Sequence, residues 1–362
     1  MAVIKKVAIP EGTSSSVKSI ISGRKSEKGK VKASVPTVET LEDLYGNSLP
    51  NPTMTIDDYV RGLHNQAKSN VEVANAIICA RGEQAIENPT DSAFNNCNGR
   101  WTELGYAVYV WNALAKLNKQ SKEDANGEIH TVYVYVKLPN RTSPEKDWTQ
   151  LLRHEITSWL ADYPGSQSAK VPENSNNRNR YFELISSNPD AVILKYHSVD
   201  AKDIMSSANI TQLDLYSEIS SIDFSAVSAL DSLFSVFSGR VLPSTNLQCF
   251  LSIKRSTRPD RRYQWVHEGD RVKTLLQLIQ IASSLPGNSQ LDRALKYEDL
   301  NGKFFAVSLS KVSDADTEAM NAGLAGCIIS PSLSPVWAVD HLFECIKFED
   351  IISQINEMIA FK

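Results

Sequence analysis

Residues 249–269 read CFLSIKRSTRPDRRYQWVHEG and join an apolar, strand-like run to a basic cluster and a carboxylate. The five cationic side chains of the cluster lie within nine residues: Lys254, Arg255, Arg258, Arg261 and Arg262. The whole chain is nevertheless acidic, with a formal net charge of −4 at pH 7. Non-specific affinity for nucleic acid grows with the number of phosphates that Lys and Arg neutralise. The composition therefore argues against a protein that coats nucleic acid, and any contact with DNA must be local.

The composition is that of an ordinary soluble globular protein, with 42% hydrophobic and 22% charged residues in a chain of 362. No apolar run approaches the roughly 18 to 20 residues that span a bilayer, so no membrane association is expected. The N-terminus MAVIKKVAIPEG lacks the hydrophobic core of a secretion signal. We expect a cytoplasmic protein.

The N-terminal region is a second basic segment and is predicted to be a flexible arm over residues 1–36. It contains eight cationic residues: Lys5, Lys6, Lys18, Arg24, Lys25, Lys28, Lys30 and Lys32. It is rich in Ser and lacks hydrophobic periodicity, which is typical of a solvated tail. An arm that embraces DNA is the alternative interpretation of the same charge.

The rest of the chain, residues 37–362, alternates predicted strands and helices and is interpreted as a single α/β domain. Runs rich in Val, Ile, Phe and Tyr predict four strands: TVYVYVKLP at 131–139, AVILKYH at 191–197, LQCFLSIK at 247–254 and KFFAVSLS at 303–310. Apolar residues at helical spacing predict the intervening helices: 56–81, about 94–118, 147–163, within 209–238, and 267–284. This alternation predicts a mixed central sheet flanked by helices.

Two of the predicted strands carry the residues that metal-dependent hydrolysis of a phosphodiester needs. Such a reaction uses a divalent cation held by oxygen ligands, a polarised water and a cation near the phosphate. Asp190, after Pro189, directly precedes the strand at 191–197, although a Pro-Asp pair is also a common turn signal. Ser252 and Lys254 lie on one face of the strand at 247–254, because side chains alternate with period two. The strand therefore offers a lysine but no carboxylate.

Glu268 is the candidate for the missing second carboxylate. It follows Lys254 by 14 residues (268 − 254) and stands at the start of the predicted helix 267–284. From there it could point back at a metal. Capping of the helix N-terminus is the alternative interpretation, since a carboxylate there is favourable against the helix dipole.

The segment between Lys254 and Glu268 has the groups that read G·C base pairs. An arginine can donate to O6 and N7 of guanine, and a carboxylate can accept from N4 of cytosine. Arg258, Asp260 and Arg261 provide these donors and an acceptor. An ordinary solvated ion-pair surface is the alternative, but the position between two candidate catalytic groups favours base reading.

Four elements occur in order along the chain: Pro189-Asp190, Ser252-Ile253-Lys254, Arg258-Pro259-Asp260-Arg261 and Glu268. Together they resemble the type II restriction endonucleases that cut at sites with a CCGG core. These belong to a branch of the PD-(D/E)xK nuclease superfamily in which the second acid has moved from the strand to the following helix. The segment FNNCNGRWTE, which ends at Glu103, resembles the N-terminal helix of that family. The matched segments extend from about residue 94 to 284.

The resemblance implies a role for each matched residue. Asp190 and Glu268 would bind Mg²⁺, and Lys254 would orient the attacking water and steady the phosphate. Glu103 would be an auxiliary acid, and Ser252 in place of an acid is itself part of the family pattern.

The resemblance extends to the basic cluster. It implies that Arg258, Asp260 and Arg261 read the CCGG core. Arg255 and Arg262 would bind phosphates, which position a protein on DNA without reading its sequence.

The resemblance also implies the substrate and the partners. The substrate would be double-stranded DNA cut before the first C of a CCGG-core palindrome, leaving a 5′ CCGG overhang. A dimer or a dimer of dimers would match the two-fold symmetry of such a site. A DNA methyltransferase acting on the same site would protect the prokaryotic host. Two alternatives remain: a PD-(D/E)xK nuclease for repair or junction cleavage, and a site-specific DNA-binding protein that does not cut.

Overall fold

The computed structural model of the protein describes residues 8–126, 128–140, 144–162, 188–284, 302–321 and 337–361. Its strands are β1 Lys25–Glu27, β2 Lys30–Lys32, β3 Thr131–Lys137, β4 Ala191–His197, β5 Leu247–Lys254, β6 Lys303–Ser308 and β7 His341–Glu344. Its α-helices are α1 Ser15–Ser22, α2 Val38–Tyr45, α3 Ile56–Cys79, α4 Asp91–Asp124, α5 His154–Asp162, α6 Ser198–Ser207, α7 Phe224–Phe237, α8 Pro243–Asn246, α9 Pro259–Ser284, α10 Asp314–Asn321 and α11 Asp350–Ala360. Within these described ranges, no helix combines the length and apolar character required to cross a bilayer.

A five-stranded mixed sheet, in the order β3-β4-β5-β6-β7, confirms the predicted α/β fold. The strands β3, β4 and β5 pair antiparallel, whereas β5, β6 and β7 pair parallel. The central strands β4 and β5 are almost wholly buried, which explains their near-continuous apolar sequences. Parallel neighbours require a crossover connection, and α9 lies in the connection from β5 to β6.

The helix α9 begins at Pro259, eight residues before the predicted start at 267. The carbonyl of Arg258 accepts hydrogen bonds from the backbone N–H groups of Arg261 at 2.8 Å and Arg262 at 3.1 Å. Proline suits the first helical position because its fixed φ is helical and its missing N–H would have no partner there. The candidate base-reading residues therefore belong to the junction and first turn of a long helix rather than to a loop before it.

Two other predicted helices are only partly helical. The segment 147–163 begins with a short 3-10 turn, Trp148–Leu151, and continues as α5 after an extended Leu152. Within 209–238 the helix is confined to α7, and Asn209 at the start adopts the left-handed conformation with φ of 54°. The extended backbone at Leu152 and the left-handed backbone at Asn209 are incompatible with regular helix, which hydrophobic spacing alone did not detect.

The prediction of a flexible arm is wrong for the residues of the N-terminal segment that form α1, β1 and β2. Val17, Ile20 and Ile21 of α1 are buried in a cluster with Ala74 and Ile78 of α3. The helix begins with Ser14, whose side chain accepts a hydrogen bond from the backbone N–H of Val17. The charge of the segment obscured this amphipathic helix, although four of its basic residues, Lys25, Lys28, Lys30 and Lys32, lie outside the helix on the hairpin of β1 and β2.

The chain forms two compact units where the sequence predicted one domain over residues 37–362. The first unit comprises Met1–Val110, Ile219–Ser228 and Ile346–Ile352, and the second comprises Trp111–Glu218, Ala229–Cys345 and Ser353–Lys362. Because later segments return to the first unit, no single linker separates the two. A search for a break in composition along the chain cannot detect such a boundary. The five-stranded sheet and α9 belong to the second unit.

A glycine allows close packing of α9 within the second unit. A Cβ atom on Gly269 would overlap the backbone carbonyl of Ala338 and approach Cδ1 of Phe304 to 2.9 Å. We expect Gly269→Ala to destabilise the protein by about 1 to 3 kcal/mol, because overpacking forces the backbone to shift. Urea denaturation measures the change in the free energy of unfolding.

The matched control is Gly99→Ala in α4, where a Cβ would meet no heavy atom within 4 Å. This substitution should stabilise the protein by roughly 0.5 to 1 kcal/mol, because alanine loses less backbone entropy in a helix. Equal stability of the Gly269 variant and the wild type would contradict the packing argument.

Candidate active site

Asp190 and Lys254 meet at one end of the sheet. Asp190 directly precedes β4 and Lys254 ends β5, and antiparallel pairing brings these two strand ends together. The Lys254 Nζ donates to Asp190 Oδ2 at 3.0 Å, and the backbone N–H of Ile253 donates to the same oxygen at 2.5 Å. The backbone N–H of Asp190 in turn donates to the carbonyl of Leu251 at 2.9 Å. The strand register thus fixes the aspartate against the lysine.

Glu268 reaches the same place from α9. Its Oε1 lies 3.7 Å from Lys254 Nζ, and its side chain is only 1% exposed. It is ten residues into the helix, so it lies roughly 13 Å along the axis from Pro259. The helix dipole acts within the first turn. The capping interpretation is therefore wrong, and Glu268 points into a site shared with Asp190 and Lys254.

Ser252 contacts Glu268 directly. Its hydroxyl donates to Glu268 Oε2 at 2.5 Å, and the serine is completely buried. The indole Nε1 of Trp265 donates to the Ser252 carbonyl at 3.0 Å. Ser252 thus holds one oxygen of Glu268 from β5, and the Trp265 hydrogen bond ties α9 to β5 beside it.

The electrostatics of the site favour a further cation. Burial lowers the pKa of Lys254, but the carboxylates of Asp190 and Glu268 raise it more strongly, so the lysine pKa lies above its ordinary value. Burial also raises the pKa of Glu268; Lys254 opposes this effect and Asp190 adds to it. Two carboxylates therefore share one ammonium group, a set of charges that a further cation would balance.

The donor set fits Mg²⁺ with two protein carboxylates. Magnesium prefers oxygen ligands and commonly binds one or two carboxylates, waters and substrate phosphate oxygens. Asp190 and Glu268 supply oxygens at 3.0 Å and 3.7 Å from Lys254 Nζ, while the 25% exposure of Asp190 leaves an approach from solvent. In the described residues, no group of three or more Asp, Glu, His or Cys side chains could hold a metal by themselves. Substrate and water would have to complete the coordination.

The candidate base-reading residues lie together on the surface. Side-chain exposures are 67% for Arg258, 59% for Asp260 and 43% for Arg261. Arg258 donates to Asp260 at 3.1 Å. This hydrogen bond, together with the charges of Arg258 and Arg261, holds the pKa of Asp260 below its ordinary value. Asp260 is therefore a persistent acceptor between two donors.

The remaining predicted residues occupy different environments. Arg255 is exposed in the connection between β5 and α9. Arg262 forms an ion pair with Asp316 of α10 at 3.3 Å, so its position is fixed by the protein. Glu103 is half-buried on the part of α4 that belongs to the first unit, and its auxiliary role stays a prediction.

The sequence analysis missed Gln264. Its amide donates to Glu268 Oε1 at 2.9 Å and accepts from Arg261 Nη1 at 3.0 Å. The spacing of three residues from Arg261 and four to Glu268 is the signal that could have identified it, because such positions share one helix face. The predicted helix start at residue 267 left Gln264 and Arg261 outside the helix, so their spacing to Glu268 carried no meaning.

Comparison with known proteins gives a consistent family. A family model described as Cfr10I/Bse634I restriction endonuclease matches residues 20–360. The type II restriction enzyme Cfr10I of Citrobacter freundii is 25% identical over 271 residues, which are 75% of this chain and 80% of that enzyme.

Two solved structures resemble this chain in fold. One is the Bse634I restriction endonuclease, with a TM-score of 0.67. The other is the type IIF restriction endonuclease Bse634I with cognate DNA, with a TM-score of 0.68. In both comparisons the identity is 25%, and the match covers 93% of this chain and 96% of the other.

The family model matches nearly the whole chain, including both units and every residue of the candidate site. The protein belongs to the Cfr10I/Bse634I restriction endonuclease family and is a type II site-specific deoxyribonuclease.

Proposed function

We propose that this endonuclease uses Mg²⁺ to cut double-stranded DNA at a palindrome with a CCGG core, before the first C, leaving a 5′ CCGG overhang. The observation that carries the proposal is the meeting of Asp190, Lys254 and Glu268, with both carboxylates within 3.7 Å of one ammonium nitrogen. Two carboxylates beside a lysine would supply oxygen ligands for a divalent cation and a positive charge near the phosphate, which metal-dependent hydrolysis of a phosphodiester uses.

The proposed catalytic roles follow from the charges of the side chains and the distances between them. Asp190 and Glu268 would hold Mg²⁺, which when bound polarises the scissile phosphate and lowers the pKa of a nearby water. Lys254 carries a proton firmly, because its pKa is raised, and so acts as a fixed positive charge rather than a base. It would steady the phosphate and orient the attacking water, whose oxygen forms the new bond to phosphorus as the P–O bond to the leaving sugar breaks. Glu103 remains the proposed auxiliary acid.

Base reading is assigned to the start of α9. Helix N-terminal residues can enter the major groove, where arginine reads guanine and a carboxylate reads cytosine. Arg258, Asp260 and Arg261 have the exposure and the hydrogen-bonding groups for adjacent G·C pairs. Arg255 would bind phosphate. Arg262 would also bind phosphate, but with a guanidinium group that is at the same time paired with Asp316.

The proposed assembly follows from the symmetry of the site. Two equivalent subunits meet two equivalent half-sites of a palindrome, so a dimer or a dimer of dimers is expected. The likeness to a Bse634I structure described with cognate DNA supports binding to duplex DNA. We also propose a cytoplasmic setting in a prokaryote, with a methyltransferase that modifies the same site.

The sequence specificity can be tested by digesting a plasmid of known sequence in Mg²⁺ and mapping the ends. We expect cuts before the first C of sites that contain CCGG. Ends at sites without CCGG would overturn the proposed core. Intact supercoiled plasmid together with a specific DNA complex would instead indicate a binding protein that does not cut.

Removal of either proposed metal ligand should abolish cleavage while DNA binding persists. Asp190→Ala and Glu268→Ala should each lower the cleavage rate constant on the order of 10³-fold or more, because several kcal/mol of charge stabilisation are lost. Binding to the same DNA in Ca²⁺ should change little. The control is Glu357→Ala, which removes an exposed carboxylate of α11. Near-normal cleavage by the Glu268 variant would refute its role as the displaced ligand.

Loss of a base-reading arginine should relax discrimination at one base pair. Arg258→Ala or Arg261→Ala should each cost about 1 to 3 kcal/mol of discrimination at a G·C pair, measured by binding to DNA with single substitutions in the core. Arg255→Ala is the matched control, since a phosphate contact should weaken binding to all sequences equally. The same uniform loss for Arg258 and Arg261 would show that they bind phosphate.

A further inference from the structure

We infer that Gln264 is a positioning residue that couples guanine reading by Arg261 to the orientation of Glu268. The inference rests on the proposed roles of Arg261 in base reading and Glu268 in metal binding. It assigns to the enzyme a direct physical connection from the base that is read to the carboxylate that supports cutting.

The connection is a continuous chain of hydrogen bonds along one face of α9. Arg261 Nη1 donates to Gln264 Oε1 at 3.0 Å, and Gln264 Nε2 donates to Glu268 Oε1 at 2.9 Å. Ser252 donates to the other carboxylate oxygen at 2.5 Å. The chain thus crosses about 10 Å of helix, from an exposed guanidinium to a buried carboxylate.

The neighbours of Gln264 fix the orientation of its amide. A guanidinium group can only donate, so it must face the amide oxygen. An ionised carboxylate can only accept, so it must face the amide nitrogen. In this series of hydrogen bonds, Gln264 therefore accepts from one neighbour and donates to the other. Its side chain is long enough to reach Glu268, which lies four residues later on the same helix.

Arg261 can bind guanine and Gln264 at the same time. Its planar guanidinium has five N–H donors, and guanine requires two of them. With Nη1 directed to Gln264, the edge formed by Nε and Nη2 can face a base, because Asp260 Oδ2, at 3.9 Å from Nε, is too distant to hold that donor in a hydrogen bond. The rigidity of the group then transmits the position of the base to the amide. At a base that Arg261 cannot read, the guanidinium would leave this position and Gln264 would lose its acceptor contact.

The hydrogen bond from Gln264 acts on the Glu268 oxygen that lies nearer Lys254. Glu268 Oε1, which accepts from Gln264, is also the oxygen nearest Lys254 Nζ, at 3.7 Å. Hydrogen bonds from outer residues orient metal-binding side chains, and their loss commonly costs 10-fold to 100-fold in affinity or activity. Without Gln264, Glu268 would keep Ser252 at Oε2 but would lose the contact that orients Oε1.

The test is Gln264→Met, which keeps the length of the side chain and removes both hydrogen bonds. We expect the single-turnover cleavage rate constant on CCGG-core DNA to fall by about 10-fold to 100-fold, and the Mg²⁺ concentration for half-maximal rate to rise. Binding of the same DNA in Ca²⁺ should stay within about two-fold of wild type, because both hydrogen bonds of the Gln264 amide are to protein side chains, Arg261 and Glu268. A merely structural role would instead reduce binding and cleavage together.

The matched control is Gln66→Met in α3, where Gln66 donates to Asn70 four residues later at 3.0 Å. It removes a side-chain bond of the same spacing away from the proposed site, and cleavage should be unchanged. Cleavage by the Gln264 variant at the wild-type rate would overturn the inference, as would equal losses of cleavage in both variants.

Coupling is measured with the double variant Arg261→Ala, Gln264→Met. If Gln264 acts through Arg261, the double variant should cleave no more slowly than the slower single variant. Rate losses that multiply would overturn the coupling while the base-reading role stands. If Arg261→Ala alone lowers binding to all sequences equally, the base-reading proposal fails and the inference fails with it.

Discussion

The site depends on the burial of one carboxylate, that of Glu268, between α9 and β5. A buried carboxylate is tolerated only when hydrogen bonds and opposite charge compensate its loss of water. Ser252 and Gln264 provide the hydrogen bonds, and Lys254 provides the charge. Burial, and to a smaller extent Asp190, nevertheless hold the pKa of Glu268 above its ordinary value. The fold therefore holds a carboxylate in a place where a further cation is favourable.

The need to place Glu268 constrains the helix that carries it. Each residue of a helix turns the side-chain direction by about 100°, so a shift of one residue would aim Glu268 away from Lys254. Trp265 fixes the rotation by its bond to the Ser252 carbonyl, and Gly269 allows close approach to the backbone of Ala338. The first turn of the same helix carries Asp260 and Arg261, and Arg258 directly precedes it. Their placement is consequently tied to that of the carboxylate.

The strands and the catalytic candidates could be predicted from sequence because their signals are local. Runs such as AVILKYH are apolar throughout, and Asp190 and Lys254 stand at their ends. The start of α9 was missed because its first turns carry charges rather than apolar residues, although Pro259 and Asp260 are helix-start signals. The N-terminal helix was missed for a related reason, since the surrounding lysines outweighed Ile20 and Ile21 in the composition. Gln264 became visible only when the helix start was known.

The placement of Glu268 on a helix, with Ser252 rather than a carboxylate on the strand, would have a physical consequence for specificity. A carboxylate at position 252 would be held in place by the backbone hydrogen bonds of β5, whether or not Arg261 contacts a base. Glu268 is instead held partly by Gln264, which is itself held by Arg261. Ser252 donates to the other oxygen, so the two oxygens of Glu268 are held from β5 and from α9. An enzyme built in this way can make the geometry of cutting depend on the base that is read, which a strand-borne acid does not provide.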